Sequence, residues 1–441
     1  MMVAVVGKLQ EADVRLAHVR HLVRDFSMLE FTDATYEFFP AKPNGFVLWL
    51  GRFLNRHRNL PSHRHLISNV EVRGQDRLAE ARRLGGKRWF FLANHSTHSD
   101  AQIIAESQRI LGVRSCYMAA YDVFLRGKLQ AWVMQHAGCF SVNRDASDSR
   151  SMREAIRILT DNRYALTLFP EGNVYLMNDR VTPFLDGAAF IGMKAQKQLG
   201  RDAPIFVVPT SIKATHLTDQ REAIGEKLAQ VATDIGLEFN SRAPMLDEIK
   251  RIGLSALDRS LKQRGLIPNT PDGLPLRAHL EHCAELMTSS LETKIGLTAR
   301  ANSPLSQRIR QVRSRIHKVR ADPTAKADHQ VAATWADEAM LALRILSYAG
   351  DYVESNPSLD RCGESVEKLL EDIYSQVQPP YGDRRAIVDI GEPINLSERL
   401  DGYEDNARDS VSELTALAES RIQSGLDAIN ASNTAEGTKL F

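Results

Sequence analysis

Short apolar runs alternate with helical segments over roughly residues 70–213, and this alternation restricts the fold more than any other feature of the chain. A segment with helical apolar spacing, such as Ala101–Leu111, follows or precedes each run. The strand-like runs are Val70–Val72, Arg88–Ala93, Arg114–Ala119, Ala165–Phe169 and Ile205–Val208. Because parallel strands need a crossover connection that is usually a helix, we predict an α/β fold with a mostly parallel mixed sheet flanked by helices.

The second half of the chain has a different texture. Strand-like runs are missing from about residue 217 to 380, where helical periodicity is interrupted by prolines, and a run at Arg385–Ile390 then resumes the strand pattern. We therefore predict that an added helical region interrupts the α/β domain. The predicted organisation is an N-terminal helical extension (1–66), the α/β domain (67–216), a helical insertion (217–384), a returning strand (385–396), and a C-terminal helix with tail (397–441).

Composition excludes several classes of protein. Lys and Arg number 56 and Asp and Glu 55, so the formal net charge of +1 disfavours a nucleic-acid binder that works through overall charge. The four cysteines are far apart and form no Cys-x-x-Cys pair, which excludes a zinc ribbon or a disulfide scaffold and fits a reducing compartment. No stretch approaches about 20 apolar residues. We expect a cytoplasmic protein, with peripheral contact to the inner membrane face as an open alternative.

Three segments allow more than one interpretation. Phe46–Leu54 is apolar and basic residues follow it, so it could lie in a membrane interface, although a core helix is the more usual role of such a segment. The basic run 308–320 fits either a solvated helix face or attraction to anionic lipid. Trp132 and Trp335 lie in helical segments, and we predict that both belong to the core.

The strongest candidate for chemistry is the loop Asn94–Asp100, between a strand-like run and a helix. On a regular helix His95 and Asp100 would be about 140° apart, so they can meet only if the chain turns, and an N-cap at Ser99 or Asp100 would supply that turn. A neutral imidazole oriented by a carboxylate is a general base. The spacing alone is a weak signal, because His317 and Asp322 repeat it at the end of an Arg-rich helix.

Three further segments lie where strands end: Gly138–Arg144, Leu168–Asn173 and Val207–Thr210. Arg144 offers a planar fork that suits a phosphate. Glu171 could accept hydrogen bonds from a polyol or hold a loop together, and Gly172 lets backbone approach a ligand closely. Pro209 is expected to fix a turn after its strand.

Together these residues resemble the glycerolphosphate and lysophosphatidate acyltransferase superfamily. Its four ordered blocks are Asn-His-x4-Asp, Gly-x-x-Phe-x-x-Arg, Phe-Pro-Glu-Gly and an apolar strand ending in Pro; here they begin at Asn94, Gly138, Phe169 and Val207. Phe140 comes one residue early in the second block, and Gly391–Ile394 resembles the late strand signature of the family. The resemblance covers residues 68–215 and 385–395 and implies a glycerolphosphate acyltransferase-like fold.

The resemblance also implies an activity, which is transfer of a fatty acyl group from acyl-CoA or acyl carrier protein to a hydroxyl of a glycerol-phosphate or lysophospholipid-like acceptor. His95 would be the base, Asp100 would orient it, and Arg144 would contact the acceptor phosphate. Glu171 and Gly172 would shape the acceptor pocket, and Pro209 would support the acyl channel. Asn94 would be a further substrate-binding residue. We expect no metal and no cofactor besides the thioester co-substrate, and no nucleic-acid partner.

Two departures from the family pattern leave alternatives open. Members commonly carry Thr-Arg-Ser after Phe-Pro-Glu-Gly, whereas this chain has Asn173-Val174-Tyr175, so Arg180 or Lys213 would have to replace the second phosphate ligand. The helical insertion is also much longer than the usual connection. One alternative is therefore acylation of a non-phosphorylated lipid alcohol or amine. Another, from a different class, is a non-catalytic lipid-binding or scaffolding protein.

Overall fold

The computed structural model describes residues 36–441 except 84, 85, 87, 145–147, 269–272, 299–302, 323 and 325. Most of the predicted N-terminal extension, up to residue 35, therefore lies outside the described residues. The described chain divides into two compact units. One comprises the residues up to Thr218 together with Gly382–Thr438, and the other comprises Asp219–Tyr381 together with Lys439–Phe441.

The first unit is built on a mixed eight-stranded sheet. Its strands are β1 (Ile67–Arg73), β2 (Arg88–Ala93), β3 (Ser115–Ala120), β4 (Cys139–Val142), β5 (Ala165–Leu168), β6 (Ile205–His216), β7 (Arg384–Ile390) and β8 (Ile394–Asn395). They lie in the order β1-β7-β6-β2-β5-β3-β4, with β8 also paired to β6. Only the β6–β7 and β6–β8 pairs are antiparallel within the described sheet, which confirms the predicted mostly parallel mixed sheet.

Helices connect and flank these strands. Those before β6 are α1 (Gly45–Leu54, continued by a π-helical turn at Asn55–Asn59), α2 (Gln75–Arg83), α3 (Asp100–Ile110), α4 (Tyr121–Phe124), α5 (Lys128–His136), α6 (Ser149–Asp161) and α7 (Gly187–Leu199). Those of the second unit are α8 (Arg221–Asp234), α9 (Met245–Gln263), α10 (Leu276–Lys294), α11 (Leu305–Ala321), α12 (Lys326–Leu346) and α13 (Leu359–Tyr374). After β8 come a 3₁₀ turn at Leu396–Arg399, α14 (Leu400–Asp405), α15 (Ala407–Ser432) and a 3₁₀ turn at Glu436–Thr438.

The sheet buries both of its faces, as the continuous apolar run of β2 requires. Side chains alternate along a strand, so Phe90 and Leu92 belong to one core while Phe91 and Ala93 belong to the other. The first core includes residues of α6, α7 and α15, and the second includes residues of α2 and α3. Burial on both faces is typical of parallel strands covered by helices on each side.

The structure corrects one expectation about Pro209. The predicted strand Ile205–Val208 continues to His216, so Pro209 lies within β6 opposite Leu92 rather than in a turn after it. The antiparallel neighbour of β6 changes at this point, from β8 at Phe206 and Val207 to β7 from Thr210 onward. Proline lacks a backbone N–H, and a break between two partner strands is a place where that N–H is not needed.

The named secondary-structure elements of the second unit are all helices within its described residues, and an isolated bridge joins Ser358 to Leu440. Three of its helices, α9, α10 and α11, begin directly after Pro244, Pro275 and Pro304. Proline is compatible with a helix start because the first N–H groups have no partner within the helix. The unit buries several apolar clusters of its own, such as the one formed by Leu261, Cys283, Met287 and Ile309.

The Arg-rich helix α11 carries both exposed and buried cations, and Arg310, Arg315 and Lys318 form a solvated part of the run. Arg308 donates to Glu285 and Glu292, and Arg313 and Arg320 are buried. The two carboxylates raise the pKa of Arg308. Arg308, Arg313 and Arg320 therefore lie within the packing of the helical unit. Within the described residues, no helix is long and apolar enough to cross a membrane.

Candidate active site

Three loops meet at one edge of the sheet because they follow parallel strands. His95 comes two residues after β2, Arg144 two residues after β4, and Phe169 directly after β5. The carboxyl ends of parallel strands lie at the same edge, which is where open α/β sheets bind ligands. The contacts confirm the convergence, since Phe169 stacks on the His95 ring with a centroid distance of 4.3 Å.

His95 and Asp100 form the hydrogen-bonded pair at the centre of this edge. His95 Nδ1 lies 3.0 Å from Asp100 Oδ2. Asp100 is completely buried, whereas the His95 side chain is 22% exposed. A carboxylate only accepts, so Nδ1 carries the proton and Nε2 is the basic nitrogen. The pair therefore has the tautomer and the solvent access that a general base needs.

The turn that joins the pair differs in origin from the expected N-cap. Ser99 occupies the N-cap position of α3, but its hydroxyl is directed to His65 and Arg384 instead of to the helix amides. The turn is held by Asp100 itself. Its Oδ2 accepts from the Thr97 backbone N–H at 2.8 Å, and its Oδ1 accepts from the Thr97 hydroxyl at 2.8 Å. Thr97 therefore fixes the carboxylate that orients His95.

Glu171 joins the loop after β5 to the loop after β2. Its Oε1 accepts the backbone N–H of His95 at 2.6 Å, and its Oε2 accepts the backbone N–H and the hydroxyl of Thr182. Glu171 is 5% exposed, and burial raises the pKa of its carboxyl to about 7 although the hydrogen bonds from Thr182 and His95 oppose that shift. The contacts show that Glu171 holds loops together, and its substrate contact stays a prediction.

Arg144 lies against the turn that contains Gly172. Its Nη1 donates to Asn173 Oδ1 at 2.6 Å and to the Gly172 carbonyl at 3.4 Å, and its Nη2 donates to Asp122 Oδ1 at 3.4 Å. Gly172 has a φ of +81°, a left-handed conformation that favours glycine. The second and third sequence blocks are therefore in direct contact, with a partly exposed guanidinium between them.

Asn94 has a clear structural role. Its Nδ2 donates to the carbonyl of Ile212 at 2.8 Å, and its Oδ1 accepts the N–H of Ile212 at 2.7 Å. This pair of bonds extends the β2–β6 pairing past the last residue of β2. Pro209, in the same strand β6, is buried, and its carbonyl accepts the Gly391 N–H at 2.8 Å. Substrate contacts of Asn94 and Pro209 stay predictions.

Lys213, one of the two candidates for a second phosphate ligand, is engaged with a carboxylate. Its ammonium forms an ion pair with Asp179, and both side chains are buried, at 2% and 4% exposure. A buried ion pair is costly to separate because each partner would leave the other uncompensated. The Lys213 ammonium is therefore held by Asp179 within the structure.

Three contributing residues were not singled out from the sequence. Thr97 lies inside the first block, yet its role depends on a turn that residue spacing does not show. Thr182 contacts Glu171 from eleven positions away. His65 contacts Ser99, with Nδ1 3.1 Å from Ser99 Oγ, and burial followed by the charge of Arg384 lowers the pKa of His65 to about 4.

Among the described residues, no group of three or more His, Cys, Asp or Glu side chains could hold a metal ion.

A comparison with known families agrees with this geometry. No curated protein matches the chain. Residues 69–213 match the family described as Acyltransferase, and this stretch includes all the candidate residues from Asn94 to Pro209. Residues 69–213 are therefore a domain of the glycerolphosphate and lysophosphatidate acyltransferase family.

Proposed function

We propose that the protein transfers a fatty acyl group from an acyl thioester, acyl-CoA or acyl-acyl carrier protein, to a hydroxyl of a glycerol-phosphate or lysophospholipid-like acceptor. The observation that carries this proposal is the His95–Asp100 pair at the carboxyl edge of the sheet, with Asp100 buried and His95 partly exposed. The acyltransferase family match supports acyl transfer in general.

His95 is the base in this proposal. Nε2 accepts the proton of the acceptor hydroxyl while the oxygen attacks the thioester carbonyl carbon. The new C–O bond forms, the C–S bond breaks, and the thiolate leaves with the electron pair of that bond. The imidazolium then returns its proton to the thiolate, so the products are an ester and a free thiol. Buried Asp100 stabilises the imidazolium between the two proton transfers.

The surrounding residues limit how far the base can move. Phe169 stacks on one face of the imidazole, with 23° between the ring planes, and Glu171 holds the backbone N–H of His95. A base whose ring and backbone are both fixed loses little orientational freedom when a substrate binds. This restraint supports a catalytic role better than a role in scaffolding, which does not require an oriented, partly exposed imidazole.

Arg144 is the proposed contact for the acceptor phosphate. Its guanidinium is positioned by Asn173, Gly172 and Asp122 at the edge that holds His95. A planar guanidinium recognises phosphate through two parallel hydrogen bonds. Asn173 stands where family members commonly carry Thr, and in this chain it orients Arg144.

The test is thiol release from a long-chain acyl-CoA, and separately from acyl-acyl carrier protein, with glycerol-3-phosphate, lysophospholipids and non-phosphorylated lipid alcohols as acceptors. The wild type is compared with His95→Ala and with His317→Ala, which removes the histidine of the repeated His-x4-Asp spacing. We expect acceptor-dependent release in the wild type and in His317→Ala, and its loss in His95→Ala. Equal activity in His95→Ala, or no release with either donor, would contradict the proposal.

A further inference from the structure

Helix α1 exposes a ridge of aromatic side chains. Phe46, Trp49 and Phe53 are 67%, 62% and 52% exposed, and their rings follow one another along the helix with centroids 6.0 and 6.2 Å apart. The opposite face of the helix is attached to the protein through buried Leu48 and through Arg52, which donates to the carbonyl of Val113. Aromatic rings are usually buried, so such a ridge is unusual for a surface that faces only water.

Helix α5 repeats this arrangement. Leu129, Trp132 and Val133 are 75%, 49% and 43% exposed, while Ala131 on the other face is buried. The prediction that Trp132 belongs to the core is therefore wrong. The helical period places both Trp132 and Leu129 on the face opposite Ala131, so helical spacing alone did not reveal which face is covered.

The two ridges lie on neighbouring helices. The backbone N–H of Lys42 donates to the carbonyl of Gln135 at 2.9 Å, and that of Asn44 donates to the carbonyl of His136 at 2.9 Å. These bonds tie the start of α1 to the end of α5. We define the apolar surface as the exposed side chains of Phe46, Trp49, Phe53, Leu129, Trp132 and Val133.

The two segments that carry the apolar surface have cations but no acidic residue of their own, although Glu37 and Asp122 directly precede them and Asp122 Oδ2 lies 3.7 Å from Arg126 Nη2. Neither segment 38–66 nor segment 123–144 contains an acidic residue. Both segments carry cations that are exposed: Lys42, Arg56, Arg58, Arg126 and Lys128. A symmetric dimer through this surface would bring like charges together, which is unfavourable. An anionic lipid surface would complement both the apolar ridges and the cations that border them.

We propose that the apolar surface docks the protein on a bilayer that contains anionic phospholipid, with Trp49 and Trp132 at headgroup depth. Helix α1 has ten residues, so it would lie in the interface rather than span the membrane. This inference deepens the proposed function, because a lipid acceptor would be presented by the membrane on which the enzyme docks. Binding is measurable without catalysis, so the two proposals can fail separately.

The test is cosedimentation of the full chain with vesicles of phosphatidylglycerol mixed with phosphatidylcholine, and with vesicles of phosphatidylcholine alone, without any acyl donor. The double variant Trp49→Ala/Trp132→Ala is compared with Ile267→Ala, a matched control because Ile267 is 77% exposed in the helical unit. We expect the wild type and the control to bind the anionic vesicles, and the double variant to bind about tenfold more weakly. High salt should weaken wild-type binding.

Three outcomes would overturn the proposal. The wild type could fail to bind anionic vesicles, or the double variant could bind as tightly as the wild type. Sedimentation velocity could instead show a dimer that the double variant dissociates, in which case a second copy of the chain covers the surface. Circular dichroism of each variant confirms that the fold is retained, as expected for side chains that are mostly exposed.

Discussion

Asp100→Asn separates the charge of Asp100 from its geometry. An Asn side chain can place its oxygen where Oδ2 now accepts from His95 Nδ1 and from the Thr97 N–H. Its amide group would then face the Thr97 hydroxyl, which can accept as well as donate. The orientation and tautomer of His95 are therefore preserved, and the variant removes mainly the negative charge that stabilises the imidazolium.

The expected magnitude follows from that charge. With the charge centres roughly 4 Å apart and an effective dielectric constant of about 20, the attraction between imidazolium and carboxylate is about 4 kcal/mol. At about 1.4 kcal/mol for each factor of ten, kcat should fall by about 10³-fold. KM should change little, because the carboxylate charge acts on the imidazolium, which forms only after substrate has bound. Asp100→Ala also loses all three hydrogen bonds, so its loss should approach the upper end of general-base effects, about 10⁴-fold.

The assay is steady-state thiol release with the acceptor that the wild type prefers, with kcat and KM determined separately for the wild type, Asp100→Asn and Asp100→Ala. Thermal unfolding of each variant shows whether the site remains folded. A kcat for Asp100→Asn within a few-fold of the wild type would refute the reasoning, since the carboxylate charge would then not assist the base. Equal losses in the two variants would show that orientation of His95 by the hydrogen bonds of residue 100 contributes nothing measurable.

The other two predictions concern pH-dependent stability and are independent of substrate. Burial holds the pKa of Glu171 at about 7, above its value in the unfolded chain. The contribution of Glu171 to stability is therefore full below about pH 4.5 and is lost as the pH rises through 7. In urea unfolding from pH 4.5 to 8, Glu171→Gln should remove about 3 kcal/mol of this pH dependence. Burial and Arg384 hold the pKa of His65 at about 4, so the contribution of His65 to stability is full above about pH 6.5 and is lost as the pH falls. His65→Asn should remove about 2 kcal/mol of this loss of stability at low pH, a value reduced because His65 is partly exposed. A variant whose plot of unfolding free energy against pH runs parallel to that of the wild type would contradict the pKa shift assigned to that residue.

The sheet could be predicted because its signals are local. Strand β2 is a continuous apolar run between turn residues, and the segments around it have helical spacing, so the sequence indicated an α/β layer and its carboxyl edge. The full length of β6 could not be predicted in this way. Pro209 signals a strand end, and only the change of partner from β8 to β7 explains why the strand continues.

The candidate site was predictable to the level of its loops but not of its hydrogen bonds. His95 and Asp100 were expected to converge, and they do. The role of Thr97 depends on the conformation of a turn, and the contact between Glu171 and the His95 backbone joins positions 76 residues apart. Exposure is also a tertiary property, which is why the helical pattern around Trp132 indicated a core residue that the structure places at the surface.

The position of the helical insertion explains how the fold accommodates it. The chain leaves the first unit after β6 and returns at β7, and these strands pair with each other, with His216 opposite Arg384 at the end of the ladder. The two ends of the insertion are therefore already held together by the sheet. The entropic cost of a long connection grows only slowly with its length, by about 0.6 kcal/mol for each doubling, and a segment that forms its own apolar clusters offsets that cost. The loops of His95, Phe169 and Arg144 belong to the parallel part of the sheet, which has the order β2-β5-β3-β4. The register of these strands therefore does not depend on the length of the insertion.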